Sequence, residues 1–265
     1  MRTVIYKTDN EIAIMREAGR IVAQAHAEMK NALRPGVTTK ELDTIAETVI
    51  RDHGATPAFL DYAPGDKPPF PATITASVND ELVHGIPSDD RVLDEGDIIS
   101  LDTACFHQGY VGDAAFTYAI GEVGGAVKRL LEKCEEALYV AIETSIVGNK
   151  VSDVARATQK FASKNGYSVA MEYTGHGVGQ KMHEAPQVPN WWHRKKPRPG
   201  QPYWLDYTLR AGMTYAIEPM LIAGRNELYE LDDEWTVVTK DGSLCAHFEH
   251  TIVITDDGPQ ILTLP

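Results

Sequence analysis

The sequence predicts an α+β fold in which a pair of helices followed by strands occurs twice, giving a curved, mainly antiparallel sheet covered on its outer face by helices. Three observations predict it. Glycines recur at an offset of 112 residues, Gly36 with Gly148 and Gly54 with Gly166. Gly36 and Gly54 bracket a helix-like stretch from Thr38 to His53, and Gly148 and Gly166 bracket another from Val151 to Asn165. Each stretch follows an amphipathic run, Glu11 to Leu33 and Val127 to Thr144, and each half then turns to short apolar strands. The half-repeats span about 9–120 and 124–258 of a single domain, 1–265, with no linker or low-complexity segment.

The first helix is supported by Ile14, Ala18, Ile21, Val22, Ala25 and Met29 at helical spacing. Thr8 with Glu11, and Thr38 with Glu41, fit capping boxes at the starts of the first two helices. Strand-like runs at Ile98–Asp102 and Ala114–Tyr118 flank a His107-Gln108-Gly109 turn and predict a hairpin. Pairing Phe106 with Gly109 would set Asp102 directly opposite Asp113, with Cβ atoms roughly 4.5–5.5 Å apart. Two opposed carboxylates repel, so this arrangement needs a cation between them or a raised pKa on one acid.

In the second half, the glycine-rich stretch from Tyr173 to Pro186 carries His176 and His183. Gly212–Met220 presents Glu218 at the end of an apolar strand, and His247–Ile254 presents Glu249 at the start of another. Apolar strands rarely bury an unpaired acid. Alternation along an extended chain puts His247 on the same face as Glu249. Asp102, Asp113, His176, Glu218 and Glu249 together supply four carboxylates and one imidazole. That donor set suits a pair of divalent cations about 3.5–4 Å apart that share bridging carboxylates and activate water.

These motifs resemble the bacterial type I methionine aminopeptidases of the pita-bread metallopeptidase fold. The resemblance covers nearly the whole chain, through Ser77–Pro87, Asp97–Asp102, Gly112-Asp113, the Gly-His-Gly-Val-Gly run at His176, Ile217–Met220 and Phe248–Thr251, in family order. It implies that Asp113 and Glu249 bridge two metal ions, that Asp102 completes one site, and that His176 with Glu218 completes the other. It also implies that His84 and His183 contact the substrate near the scissile amide without binding metal, with Glu218 as proton shuttle and His183 polarising the carbonyl. The expected reaction is removal of the N-terminal methionine of nascent polypeptides, with small second residues preferred. The metals would be two of Co, Mn, Fe, Zn or Ni, which such ligands do not distinguish.

The expected methionine pocket consists of Phe59, Tyr62, Phe70, Met182 and Trp235. Here the chain departs from the family: the stretch Asp61 to Pro69 is longer than the pattern, and Val83 stands where cysteine is common before the histidine matched by His84. Two other readings are a prolidase or aminopeptidase P, which would carry a large extra N-terminal domain, and a non-catalytic binding protein, which should have lost a metal ligand.

A formal charge of −13 argues against broad nucleic-acid or anionic-membrane binding. One stretch is locally basic: Trp191 to Trp204 holds Arg194, Lys195, Lys196 and Arg198 among three tryptophans and a tyrosine. It reads either as a proline-stiffened loop packed at the rim of the active site or as a ribosome contact made through phosphates and stacking. The start of the chain lacks the apolar run of roughly 7–15 residues of a secretory signal. No segment holds about 18 uninterrupted apolar residues, so a cytoplasmic protein with no membrane contact is expected; a monomer is expected as well. Cys105, Cys134 and Cys245 are odd in number and widely spaced, as packed thiols are.

Overall fold

A computed structural model describes residues 3–193 and 202–265. The first half contains α1 (Asp9–Ala32), α2 (Thr39–Asp52), β1 (Thr56–Pro57), β2 (Ile74–Val78), β3 (Glu81–Val83), β4 (Ile98–His107) and β5 (Tyr110–Ala119). The second contains α3 (Gly125–Thr144), α4 (Val151–Lys164), β6 (Ser168–Val169), β7 (Thr174–Gly177), β8 (Glu184–Pro189), β9 (Thr214–Ile217) and β10 (Met220–Ile222). It continues through β11 (Leu228–Glu230), β12 (Val237–Thr239), β13 (Cys245–His247), β14 (His250–Thr255) and β15 (Gly258–Ile261).

Both expected capping boxes form. Glu11 N–H donates to Thr8 Oγ1 while Thr8 N–H donates to the Glu11 carboxylate at 2.7 Å, and Thr38 and Glu41 repeat the exchange. Each closes two of the donors that a helix start leaves unpaired. Two glycines 112 residues apart share one conformation. Gly36 and Gly148 have φ of 90° and 94°, and their N–H groups donate to Leu93 O and Leu209 O at 2.8 and 3.0 Å. A Cβ at either position would meet nothing within 4 Å, so the left-handed backbone, and not lack of room, calls for glycine there.

Among the described residues the strands fall into four antiparallel sheets. The two largest are β5-β4 with β2 and β1 end to end on the far edge of β4, and β15-β14-β9-β7-β8. They meet where Glu249 N–H donates to Ala115 O at 2.7 Å and Thr251 Oγ1 donates to Asp113 O at 2.8 Å. Helix α1 lies directly on this seam: a Cβ on Gly112 would come within 2.5 Å of Gly19 N, so glycine lets the helix backbone touch the strand next to Asp113. One apolar core fills the space between α1, α2 and the first sheet, and a larger one joins α3 and α4 to the second.

The β4–β5 register corrects the expected pairing. His107 pairs with Tyr110 across a two-residue turn, with φ of 47° at Gln108 and 81° at Gly109, as a primed hairpin turn requires. Asp102 therefore pairs with Ala115, and Asp113 with Ala104. The two acids are diagonal neighbours on one face instead of directly opposed partners. All three cysteines are buried free thiols, and burial pushes those of Cys105 and Cys134 up to about 12. Among the described residues no helix is long and apolar enough to cross a membrane.

Candidate metal centre and substrate pocket

Asp102 on β4, Asp113 on β5, His176 on β7, Glu218 just after β9 and Glu249 just before β14 all line one cavity of about 490 Å³. The seam between the sheets brings them together: the backbone bonds that join β14 to β5 put Glu249 beside Asp113. Donor atoms of Asp113, His176 and Glu249 lie within 4.8 Å of one another. His176 Nε2 is 3.6 Å from Asp113 Oδ2 and 3.7 Å from Glu218 Oε1. Asp102 faces the same cavity from the neighbouring strand.

Electrostatically this cluster is unbalanced. Burial, with Asp113 beside it, holds the Asp102 carboxyl well above the usual range. Burial and then Glu218 do the same to Asp113, and burial followed by Asp113, Asp102 and Glu218 raises Glu249. Glu218 is pushed up to about 8 by burial and then by Asp102. His176 is pushed down to about 3 by burial and then by His183, so it is a neutral imidazole. One oxygen each of Asp102, Asp113 and Glu249 is buried without a hydrogen-bond partner. Buried polar atoms are almost always paired, and carboxylates this close together call for a balancing positive charge. Hard oxygen donors, a neutral imidazole and orphaned carboxylate oxygens fit divalent metal.

His247 lies where alternation places it: its Nε2 is 3.7 Å from Glu249 Oε2 and 4.0 Å from Glu218 Oε2, and that nitrogen has no hydrogen bond. Burial and then His84 push it down to about 3.

The other end of the cavity is apolar. Phe59, Tyr62, Phe70, Met182 and Trp235 all line it, and Phe70 meets Trp235 edge-on with ring centroids 5.1 Å apart. His84 and His183 stand between the two ends. His84 has φ of 63° and lies edge-on to Tyr173 and Trp235. His183 packs on His176 with centroids 4.2 Å apart. The cavity also takes in Lys67, Thr75, Tyr173, Glu184 and Gln187, which sequence reasoning did not single out. Thr75 is the cross-strand partner of Asp102, and Lys67 sits in the long Asp61–Pro69 stretch. Glu184 follows His183 directly and forms a buried ion pair of 2.6 Å with Lys7 from the start of the chain.

In the segment from Trp191 to Trp204, the four basic residues lie outside the described residues. The rings of Trp191, Trp192, His193 and Trp204 pack against one another, and Trp191 and Trp204 are each only 6% exposed. Those two tryptophans are therefore not available to stack on bases.

Comparison with known proteins gives the family. The profile of metallopeptidase family M24 matches residues 13–256. Methionine aminopeptidase 1 of Bacillus subtilis (strain 168) is 48% identical over 260 residues, covering 98% of this chain and 99% of that protein. A methionine aminopeptidase of Clostridium acetobutylicum is 44% identical over 261 residues, covering 98% and 99%. The crystal structure of a methionine aminopeptidase from Thermotoga maritima superposes with a TM-score of 0.91 at 39% identity, covering 99% of this chain and all of that one. The fold is the pita-bread fold. With a family match across almost its whole length and a buried carboxylate and imidazole cluster at its centre, the chain belongs to metallopeptidase family M24.

Proposed function

We propose that the chain is a methionine aminopeptidase, a metal-dependent hydrolase that releases the N-terminal methionine of peptides and nascent proteins. The observation that carries this reading is the two-ended cavity: four acids, Asp113 and Glu249 buried and Asp102 and Glu218 half-buried, with a neutral imidazole at one end, and an aromatic and thioether pocket at the other. Asp113 and Glu249 would be shared by two metal ions, with Asp102 on one and His176 and Glu218 on the other. Bound there, the ions would lower the pKa of water and polarise the scissile carbonyl.

The remaining steps belong to the chain. Phe59, Tyr62, Phe70, Met182 and Trp235 hold the first side chain, and burying it contributes about 1.5–3 kcal/mol. The acidic end attracts the free α-ammonium group, which only a chain terminus offers. His183 donates a hydrogen bond to the carbonyl oxygen as negative charge develops there, and His84 serves the amide nitrogen. Glu218 accepts a proton from the attacking water on a carboxylate oxygen and delivers it to the leaving amine. Small second residues would be preferred.

Metal-stripped protein resupplied with Mn, Fe, Co, Ni or Zn in turn should cleave Met-Gly-Met with at least one of them and leave Ala-Gly-Met nearly untouched. No release of methionine with any cation would overturn the reading. For the segment from Trp191 to Trp204, the edge-on and tilted contacts among its indoles support a packing role. A ribosome contact through it would rest on Arg194, Lys195, Lys196 and Arg198 meeting phosphates. Replacing all four with serine would then weaken ribosome binding at low salt and leave tripeptide cleavage unchanged.

A further inference from the structure

The Asp61–Pro69 stretch that departs from the family pattern forms a closed loop over the cavity. Its neck is tied by Asp61 N–H to Phe70 O and by Phe70 N–H to Tyr62 O, both at 2.9 Å. Its outer part is tied to the β11–β12 hairpin: Lys67 Nζ is 2.5 Å from Glu230 Oε2, also donates to the Glu234 carbonyl, and lies 5.1 Å from the centroid of the Trp235 ring. Held at both places, the loop presents the Tyr62 hydroxyl 2.8 Å from His183 Nδ1. A pocket wall needs only the aromatic face. The hydroxyl aimed at a ring nitrogen is left over from that role.

A neutral imidazole has one donor nitrogen and one acceptor nitrogen, and the partner of the first decides which is which. We propose that Tyr62 is a positioning residue for His183: its hydroxyl donates to Nδ1, which keeps the ring hydrogen on Nε2 for donation to the substrate carbonyl. This rests on the reading of His183 as the carbonyl donor. The reverse tautomer, with Nδ1–H donating to the Tyr62 oxygen, would leave Nε2 a lone pair, which repels a developing oxyanion. The loop therefore does two things, lining the methionine pocket with a ring and setting the tautomer of a histidine 121 residues away with a hydroxyl.

Tyr62→Phe separates these roles, because it keeps the ring and removes only the hydroxyl. A buried carboxylate that orients a histidine in a hydrolase triad contributes ~10⁴ in kcat, and a neutral phenol is a much weaker orienter, so a fall of about tenfold is expected. KM for Met-Gly-Met should stay within about twofold, because the apolar contact that binds the first side chain is retained. The same substitution in a His183→Ala background should have no further effect on kcat. Nitrogen NMR of histidine-labelled wild-type protein should show His183 Nδ1 unprotonated and Nε2 protonated. If His183→Ala leaves kcat unchanged, the reading of His183 itself fails. If His183→Ala lowers kcat but Tyr62→Phe does not, or Tyr62→Phe lowers it equally in both backgrounds, or Nδ1 carries the hydrogen, the positioning role of Tyr62 is overturned.

Discussion

The two ends of the cavity are built differently. The acidic end takes its residues from strands or strand ends in both halves of the chain, locked by ladders and by the β5–β14 seam. The apolar end is built largely on connecting segments: Phe59, Tyr62 and Phe70 come from the loop between β1 and β2, Met182 from the turn before β8, and Trp235 from the turn between β11 and β12. The difference teaches where failure should be total and where it should be graded. A ladder holds a ligand at one place or not at all, whereas a loop wall can lose one face and still bind.

The largest effects should therefore come from the acidic end. Alanine at Asp102, Asp113, His176, Glu218 or Glu249 should abolish activity together with bound metal, while His84→Ala and His183→Ala should keep metal and lose rate. Elemental analysis beside kinetics separates the classes, and a His84→Ala protein unable to hold metal would break the comparison.

The same end predicts a pH signature in metal-stripped protein. An acid raised on folding favours the native state only while protonated, so the contribution of Glu218 is full below its ordinary value of 4.5 and lost as pH rises through about 8. His176 and His247 act oppositely, their pKa values being lowered on folding: they destabilise at low pH, and this penalty disappears as pH rises to their ordinary 6.5. Between about pH 6.5 and 8 the acids alone remain, and the denaturation midpoint should fall with rising pH. Saturating metal should flatten that slope.

Lys7 tests what supports the turn that carries Met182 and His183. Its amine and the Glu184 carboxylate are almost fully buried, so Lys7→Met strands a buried charge and should cost about 3–5 kcal/mol in urea unfolding. Trp235→Ala should be milder, reducing kcat/KM for Met-Gly-Met by about 10–100-fold through loss of roughly 1.5–3 kcal/mol of apolar contact, with metal content unchanged. Smallest is His247→Gln. Its imidazole is near the Glu218 and Glu249 carboxylates without bonding either, and removing it should weaken metal binding by about tenfold in calorimetric titration. Equal affinity would place His247 outside the metal site.

Much of the molecule was legible in the residues themselves. Helix starts are local events, so Thr8 with Glu11 and Thr38 with Glu41 marked them, and the four helices begin and end within about two residues of their expected limits. The five acidic and imidazole residues stood out because charged groups at apolar strand ends need a reason. Register was less legible. A slip of two residues keeps every side chain on its own face, so alternation could not decide between Asp113 and Ala115 as the partner of Asp102; the two-residue turn at Gln108 and Gly109 decided it.

By itself, then, the sequence determined the four helices and the β4–β5 hairpin and singled out the acids and imidazole that line the cavity, because capping, periodicity and turn chemistry act over a few residues. Tertiary structure alone decided which distant groups meet: Lys7 with Glu184, Tyr62 with His183, and Lys67 with Glu230. The segment from Trp191 to Trp204 shows the same limit, since composition offered indoles for stacking on RNA and packing turned two of them inward. Contacts across more than a hundred residues leave no local pattern, because they depend on how sheets abut and loops close, and only the assembled backbone sets those distances.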